Sequence, residues 1–431
     1  MNLYNALALL LVTAAAFAYL NNRFLKMPPA IGLMSLALLA SLALIGLAKL
    51  GVTSVLELAA GVGKIDFSAI VMQVMLGFLL FAGAIHVDAR RLGQLRWSVG
   101  TLALVGTPLS TMLVGSAMYW LLPLLGLPTS FIYCLLFGAL ISPTDPVAVL
   151  SILTKANVSK DLEIKIVGES LFNDGVGVVL FVVLLEIAQF GPQEVTVTHA
   201  LAVFLQEAVG GLALGTALGL GSAWLLRSVD NYQVEVLLTL AVVAGGTALA
   251  SYLHTSGPLA MVMAGLLVGY YSRSGDILSD KSQEYIDKFW ELVDEILNAL
   301  LFVLTGLEVL VLDIPGRTFI AGLLAIGVVL VARVVAVAAP LQLLKLSKTF
   351  QPSYRSVPIL TWGGLRGGLA VALALSLPHS AARDMLVGIT YVVVVFSIIG
   401  QGLTIGPLVQ WLGAGAASAE ATAEAETTAA H

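Results

Sequence analysis

The chain has 431 residues, of which 59% are apolar and only 11% are charged. Soluble globular proteins carry about 25% charged residues, so this composition excludes an ordinary soluble domain and favours a protein embedded in a lipid bilayer. The net charge of -5 says little, because the charges of individual loops matter more than their total. The single cysteine, Cys134, excludes an internal disulfide bond and is interpreted as a packing residue.

Apolar runs of about 20 residues, long enough to cross a bilayer, follow one another along the chain. We count thirteen predicted spans, near residues 3–20, 30–48, 67–87, 98–122, 129–153, 164–189, 199–226, 232–252, 257–271, 290–312, 318–344, 356–377 and 385–412. A charged stretch, 276–289, precedes the tenth span and is predicted to be an interfacial amphipathic segment.

Lys and Arg residues distribute unequally when the connections are assigned alternately to the two sides of the membrane. One side receives 15 of the 21 basic residues and the other receives 4. Because basic residues are enriched in cytoplasmic loops, this bias predicts an outside N-terminus and a cytoplasmic C-terminus. Residues 16–18 resemble a signal-peptidase site, but residues 1–11 lack a basic residue, so the first run is interpreted as a membrane helix.

The predicted topology divides the chain into two halves. Residues 1–190 carry six spans, residues 191–230 carry a linker helix, and residues 231–412 carry six more. Because the halves begin on opposite sides of the membrane, this arrangement predicts an inverted repeat. The tail, residues 413–431, lacks periodicity and is predicted to be disordered.

The fifth predicted span contains Ser142, Pro143, Thr144, Asp145 and Pro146 in its middle. Each proline removes a backbone donor and disfavours helical geometry in the residue before it, so the helix is predicted to break near Thr144. Unwound backbone at membrane depth is tolerated where it lines a cavity. Freed carbonyls beside a carboxylate predict a site for a hard cation.

The sixth predicted span carries two pairs of polar residues at helical spacing. Ser170 and Asp174 share one face, and Glu169 and Asn173 share the adjacent face. The first pair offers a hydroxyl and a carboxylate to an ion. In the second pair, Glu169 could hold Asn173 through a carboxylate–amide hydrogen bond, or the two could simply join neighbouring helices. Ionisable residues at this depth are costly, which indicates a functional site.

Two arginines lie inside predicted spans. Arg366 sits among four glycines in the twelfth span, which predicts a second broken helix at the position matching the fifth span. Arg333 lies in the eleventh span. Because a guanidinium cannot lose its charge, each buried arginine must have an anionic or carbonyl partner. For Arg333, we expect that partner to come from the ion-binding region or from Glu308.

Three segments together resemble the NhaP-type sodium/proton antiporters, which are related to animal sodium/proton exchangers: 142–146, 168–175 and 363–367. The resemblance covers nearly all of residues 1–412. It implies an NhaA-like antiporter fold, an all-α membrane protein with about thirteen transmembrane helices and two inverted six-helix repeats. It also implies two crossed broken helices, a core that moves, and a fixed domain that forms a homodimer.

The resemblance further implies a set of ligands for Na+: Asp174, Asp145, the Thr144 carbonyl and the Ser170 hydroxyl. Asp174 would bind either the cation or the proton, with Asp145 as its neighbour. Glu169 and Asn173 would support these ligands from behind, and Arg333 and Arg366 would balance the charge. Some relatives have a second acid at the position of Asn173. An asparagine there resembles the electroneutral branch of the family. Some relatives also pair the eleventh-span arginine with a third-span acid, which this sequence lacks.

We therefore expect a secondary antiporter in a bacterial inner membrane, exchanging Na+ or Li+ for H+ without a cofactor or a nucleic-acid partner. A K+/H+ antiporter on the same scaffold is the nearest alternative. A sodium-coupled symporter for an organic anion is a second alternative, although Asp145 and Asp174 disfavour an anion site. The sequence contains no His-Glu-x-x-His segment and no Walker loop, which argues against a metalloprotease and an ATP-driven pump.

Overall fold

The structure is a computed structural model that describes residues 3–51, 66–156, 158–191, 197–273, 279–345 and 356–413. These residues are almost entirely helical, and the β-structure found among them is one isolated bridge between Asp145 and Leu365. The tail predicted to be disordered lies outside the described residues from residue 414 onwards.

Fifteen main helices are numbered here in chain order. They are α1 Leu3–Leu20, α2 Pro29–Lys49, α3 Phe67–Ile85, α4 Arg96–Leu124, α5 Phe131–Ile141, α6 Val147–Lys155, α7 Lys160–Phe190, α8 Val197–Leu226, α9 Tyr232–Tyr252, α10 Gly257–Arg273, α11 Asp280–Leu307, α12 Gly316–Lys345, α13 Ser356–Trp362, α14 Gly368–Leu375 and α15 Ala381–Trp411. Helices α3, α4 and α15 each contain a π-helical turn, a further π turn follows α1, and a short helix, Ala89–Gln94, precedes α4.

Every predicted apolar run overlaps one of these helices or a pair of them. Within the described ranges, nine helices are long and apolar enough to cross a membrane. The remaining six numbered helices are too short or too polar by the same criterion, each for a physical reason. Helices α5, α6, α13 and α14 are the halves of interrupted spans, α10 has 17 residues, and α11 is polar over its first half.

Helix α11 differs from the predicted tenth span. We expected an interfacial segment over 276–289 and a span over 290–312, but one continuous helix runs from Asp280 to Leu307. Its N-terminus is capped by Ser279, whose hydroxyl accepts a hydrogen bond from the Ser282 amide at 3.3 Å. The two predicted pieces are therefore one helix, and its polar residues that line internal cavities, Asp294 and Asn298 among them, lie inside the predicted span.

Two interrupted spans cross near the centre of the molecule. Helix α5 ends at Ile141 and α6 begins at Val147, so the break falls on the two prolines as the sequence predicts. Helix α13 ends at Trp362 and α14 begins at Gly368, on the glycine-rich segment. The two unwound segments meet where the Asp145 amide donates a hydrogen bond to the Leu365 carbonyl at 2.8 Å. This crossing positions the candidate site.

Candidate functional site

A cavity of about 510 Å³ reaches the crossing of the two broken spans. Its wall includes the segment 143–147, the middle of α7, and residues of α3, α11 and α14. Asp145 and Asp174 both face it. Two carboxylates therefore line the same internal cavity, in a chain of which 59% of the residues are apolar.

Asp145 is held in place by the backbone on both sides of the break. Its Oδ1 accepts a hydrogen bond from the Val147 amide at 3.0 Å, which satisfies the first amide of α6. Gly367 lies so close that a Cβ at that position would overlap the Asp145 carboxylate. The glycine is therefore required for the second unwound segment to approach the first.

Asp174 lies on α7 and faces the same cavity. Its carboxylate makes no hydrogen bond or ion pair with any residue in the described part of the chain. Next to it, Gly175 packs against Leu259 of α10 and Gly177 against Pro143, as expected for glycines that permit close approach. Asp174 is thus available to a ligand from the cavity.

Thr144, Ser170 and Asn173 form a compact network between the break and α7. The Asn173 amide nitrogen donates to the Thr144 hydroxyl at 2.8 Å, and the Thr144 amide donates to the Asn173 Oδ1 at 3.2 Å. The Thr144 and Ser170 hydroxyls lie 3.0 Å apart. Because Asn173 is fully buried and contacts Thr144 twice, it fixes the conformation of the unwound segment.

Glu169 is the partner of Arg333. The guanidinium donates to both carboxylate oxygens, at 2.5 Å and 2.9 Å, and also to the Leu360 carbonyl at 3.1 Å. Glu169 is 1% exposed and Arg333 is 6% exposed. The sequence left two possible partners for Arg333, a residue of the ion-binding region or Glu308. The partner is Glu169, which belongs to the ion-binding region. Glu169 also lies 3.4 Å from the Asn173 amide nitrogen, the first of the two alternatives that the sequence left open for this pair.

Arg366 lies inside the crossing. Its Nη1 donates to the Pro143 carbonyl at 3.3 Å, and its backbone amide donates to the Ser397 hydroxyl at 2.9 Å. The side chain is 2% exposed. A carbonyl freed by the first break is therefore satisfied by a guanidinium supplied by the second break, which ties the two segments together.

The ionisable groups at the crossing leave a small excess of negative charge. Three acids, Asp145, Glu169 and Asp174, face two arginines, Arg333 and Arg366. When all five are ionised, they sum to one negative charge. Binding of one monovalent cation or one proton makes this group neutral, which is the condition for moving it through a low-dielectric region at modest cost.

The structure brings together all eight residues singled out from the sequence. It also places in the cavity wall three residues that sequence reasoning missed: His86, Asp294 and Asn298. A signal existed for Asp294 and for its neighbour Asn298, because the predicted tenth span contained Glu291, Asp294 and Glu295. Acids inside a predicted span indicate a face turned to water.

The sequence matches a family of known proteins over most of its length. A model of the family described as "Sodium/hydrogen exchanger, transmembrane" matches residues 10–411. The chain belongs to this family. It is therefore a multi-pass membrane protein of a transporter family, and the resemblance drawn from the three motifs is confirmed.

Relatives in the family share sequence over nearly the whole chain. The Na(+)/H(+) antiporter NhaP of Pseudomonas aeruginosa is 49% identical over 403 residues, covering 92% of this chain and 94% of its own. The Na(+)/H(+) antiporter NhaH of Halobacillus dabanensis is 35% identical, with 94% and 97% covered. The sodium proton antiporter MjNhaP1 of Methanocaldococcus jannaschii has the same fold, with a TM-score of 0.72, 22% identity, and 96% and 99% covered.

Proposed function

We propose that the protein is an antiporter that exchanges Na+ for H+ across the membrane. The observation that carries the proposal is Asp174, a carboxylate that faces a cavity at the crossing of two broken helices and has no hydrogen bond within the described residues. The names of the relatives, which are Na(+)/H(+) antiporters, point to the same pair of ions.

The mechanism is competition for one site. Asp174 binds either a proton or a dehydrated cation, and in the cation-bound state Asp145, the Ser170 hydroxyl and the Thr144 carbonyl complete the ligand set. These are oxygen ligands, which suit Na+. Asn173 and Glu169 hold the ligands in position, while Arg333 and Arg366 balance the charge. Either occupant neutralises the site, whereas the empty, charged site is expensive to move and so prevents leak.

The same proposal includes the arrangement of the chain in the membrane. Thirteen spans form two inverted repeats, 1–190 and 231–412, joined by the linker 191–230, with the N-terminus outside and the C-terminus in the cytoplasm. The two broken spans occupy corresponding positions of the repeats, as expected for a midplane site. The part that carries the site moves against a fixed part, which forms a homodimer in a bacterial inner membrane.

Exchange is electroneutral in this mechanism. One titrating carboxylate binds one cation or one proton, so each cycle moves no net charge. Asn173 supports this ratio, because an amide at this position cannot add a second titrating group. Potassium is the alternative cargo, since carboxylate, hydroxyl and carbonyl ligands serve both ions.

The test is proton flux in proteoliposomes that contain the purified protein. Na+, Li+, K+ and an organic anion such as a dicarboxylate are offered in turn against an imposed proton gradient. We expect Na+ and Li+ to dissipate the gradient. Proton flux driven by K+ alone would assign the alternative cargo, and uptake of the organic anion with Na+ would overturn antiport.

A further inference from the structure

Helix α11 carries a second polar group in the cavity that leads to Asp174. Asp294 and Asn298 lie one turn apart on this helix, and both line the 510 Å³ cavity that Asp145 and Asp174 also line. Both also line a second cavity of about 940 Å³, which contacts α1, α2 and α6. These two side chains therefore stand where two water-accessible spaces meet.

Asn298 is unusual because it is buried without a complete set of partners. Its side chain is 7% exposed, and its amide nitrogen makes no hydrogen bond of good geometry with the described residues, although the Asp294 carboxylate lies close enough to interact with it. A buried amide of this kind costs free energy unless a ligand or water satisfies it. Because Asn298 borders both cavities, water from these spaces can complete its hydrogen bonding.

Asp294 likewise has no ion pair with any residue in the described ranges. The described wall of the first cavity includes five carboxylates, of Asp88, Asp145, Glu163, Asp174 and Asp294, against two cationic side chains, of Arg91 and Lys160, and the imidazole of His86. This excess of negative charge raises the local concentration of cations over that in bulk water. An anion is correspondingly disfavoured.

The helix that presents Asp294 is firmly packed. Trp290, one turn earlier, is fully buried and donates a hydrogen bond to the Thr239 hydroxyl of α9 at 3.0 Å. Its ring lies 4.6 Å from the ring of Phe81 in α3, measured between centroids. Asp294 and Asn298 are therefore held in fixed positions rather than on a loose surface.

We propose that Asp294 and Asn298 form a second, transient binding site for a partly hydrated monovalent cation, between the cytoplasm and the Asp174 site. The carboxylate attracts the ion, and water on the ion satisfies the Asn298 amide. Few protein ligands and ample space make this site weak, so the ion passes on to the richer ligand set at the crossing. The direction of passage rests on the function and orientation proposed above.

The experiment compares Asp294→Asn with Glu295→Gln in the full-length protein. Glu295 neighbours Asp294 on α11 and lines the second cavity, but it is not among the described residues lining the first. Everted and right-side-out vesicles, from cells lacking their own antiporters, present Na+ to each face in turn. We expect Asp294→Asn to raise the KM for Na+ on the cytoplasmic face by about five-fold, as for loss of one solvated charge contact.

Three results support the site together: a raised cytoplasmic KM in Asp294→Asn, a near-normal KM on the other face, and a near-normal Glu295→Gln. An unchanged KM in Asp294→Asn overturns it. An equal rise in Glu295→Gln also overturns it, since it shows general surface charge. Complete loss of turnover in folded Asp294→Asn overturns it by placing Asp294 in the principal site.

Two further variants keep the outcome clear. Asn298→Ala removes the amide and should raise the same cytoplasmic KM, so it carries the test if Asp294→Asn does not fold. Asp174→Asn in the same vesicles tests the proposed function separately. An inactive Asp174→Asn beside an Asp294→Asn with wild-type KM would sink the second site alone, whereas an active Asp174→Asn would sink the competition mechanism.

Discussion

Two carboxylates on helix α7, five residues apart, have opposite surroundings. Glu169 accepts hydrogen bonds from Arg333 at both of its carboxylate oxygens and is almost completely buried. Asp174 faces a cavity and makes no hydrogen bond within the described residues. At about 100° per residue, the two side chains point about 140° apart, so one helix serves a packed interface and a cavity at once.

The difference shows that burial alone does not identify an ion site. Glu169 is the more deeply buried acid, yet its charge is already compensated by a guanidinium that cannot be deprotonated. Asp174 is the acid whose charge is left for a mobile partner. Arg333 therefore removes Glu169 from ion binding, and the five ionised groups at the crossing leave one negative charge in total.

The largest expected effect comes from removing the free carboxylate. Asp174→Asn should reduce Na+-driven proton flux to the level of protein-free liposomes, because Asp174 is the group for which Na+ and H+ compete in the proposed mechanism. The thermal unfolding midpoint should stay near the wild-type value, since no hydrogen bond to Asp174 is lost. Flux and unfolding are measured on the same purified protein. Residual Na+-dependent flux would break the comparison by showing a second carrier of the proton.

The second prediction concerns the compensated carboxylate. Glu169→Gln leaves Arg333 buried beside a neutral partner, and removing one member of a buried pair typically costs about 3–5 kcal/mol. We expect a clear fall in the unfolding midpoint, with the order of preference among Na+, Li+ and K+ unchanged in whatever flux remains. The double variant Glu169→Leu, Arg333→Leu should recover part of the lost stability, because it leaves neither charge unpaired.

A matched control for this pair lies at the surface. Lys288 and Glu284 are within 2.6 Å, but both side chains are more than 60% exposed. Glu284→Gln should leave the unfolding midpoint where it is, because water replaces an exposed pair at little cost. A changed ion preference in Glu169→Gln would instead mean that Glu169 binds the cation directly.

The sequence predicted much of this arrangement because its strongest signals are local. The prolines at 143 and 146 and the glycines around Arg366 predicted both breaks, and the i, i+4 spacing gave the contact of Glu169 with Asn173 as one of two alternatives. Each of these depends on backbone chemistry within a few residues.

Other features depend on contacts between distant parts of the chain, and these could not be predicted. The pairing of Glu169 with Arg333 joins residues 164 positions apart. The sequence left two possible partners for Arg333. A helical pattern predicts which face of the helix a residue occupies, but it does not predict which residue of another helix that face contacts. The cavity-lining role of Asp294 and Asn298 on α11 also depends on cavities that form only when the helices pack.

The third prediction tests how closely Asp145 must approach the crossing. Gly367→Ala places a Cβ onto the Asp145 carboxylate, so that side chain must move away from its position beside the cavity. We expect the KM for Na+ to rise by about ten-fold, in line with about 1.4 kcal/mol of lost binding. Gly327→Ala on α12 is the control, because nothing lies within 4 Å of a Cβ there. Equal KM values in the two variants would show that Asp145 does not contribute to the site.

The smallest expected effect is that of voltage. One elementary charge moved through 100 mV changes the free energy by about 2.3 kcal/mol, or about 50-fold in an equilibrium. Because one ion of each kind neutralises the same site, an imposed potassium diffusion potential should leave the exchange rate and its end point nearly unchanged. A steep rise of rate with voltage would show that a second charge accompanies Asp174 through the cycle.

The competition of Na+ and H+ for Asp174 is tested most directly by counting protons released when Na+ binds. Purified protein in a weakly buffered solution, below the pH at which the site loses its proton, is titrated with NaCl while a pH dye is followed. Choline chloride serves as the control for ionic strength. The competition mechanism predicts about one proton released per cation bound in the wild type, and none in Asp174→Asn. Na+ binding without proton release, or equal release from Asp174→Asn, would contradict it.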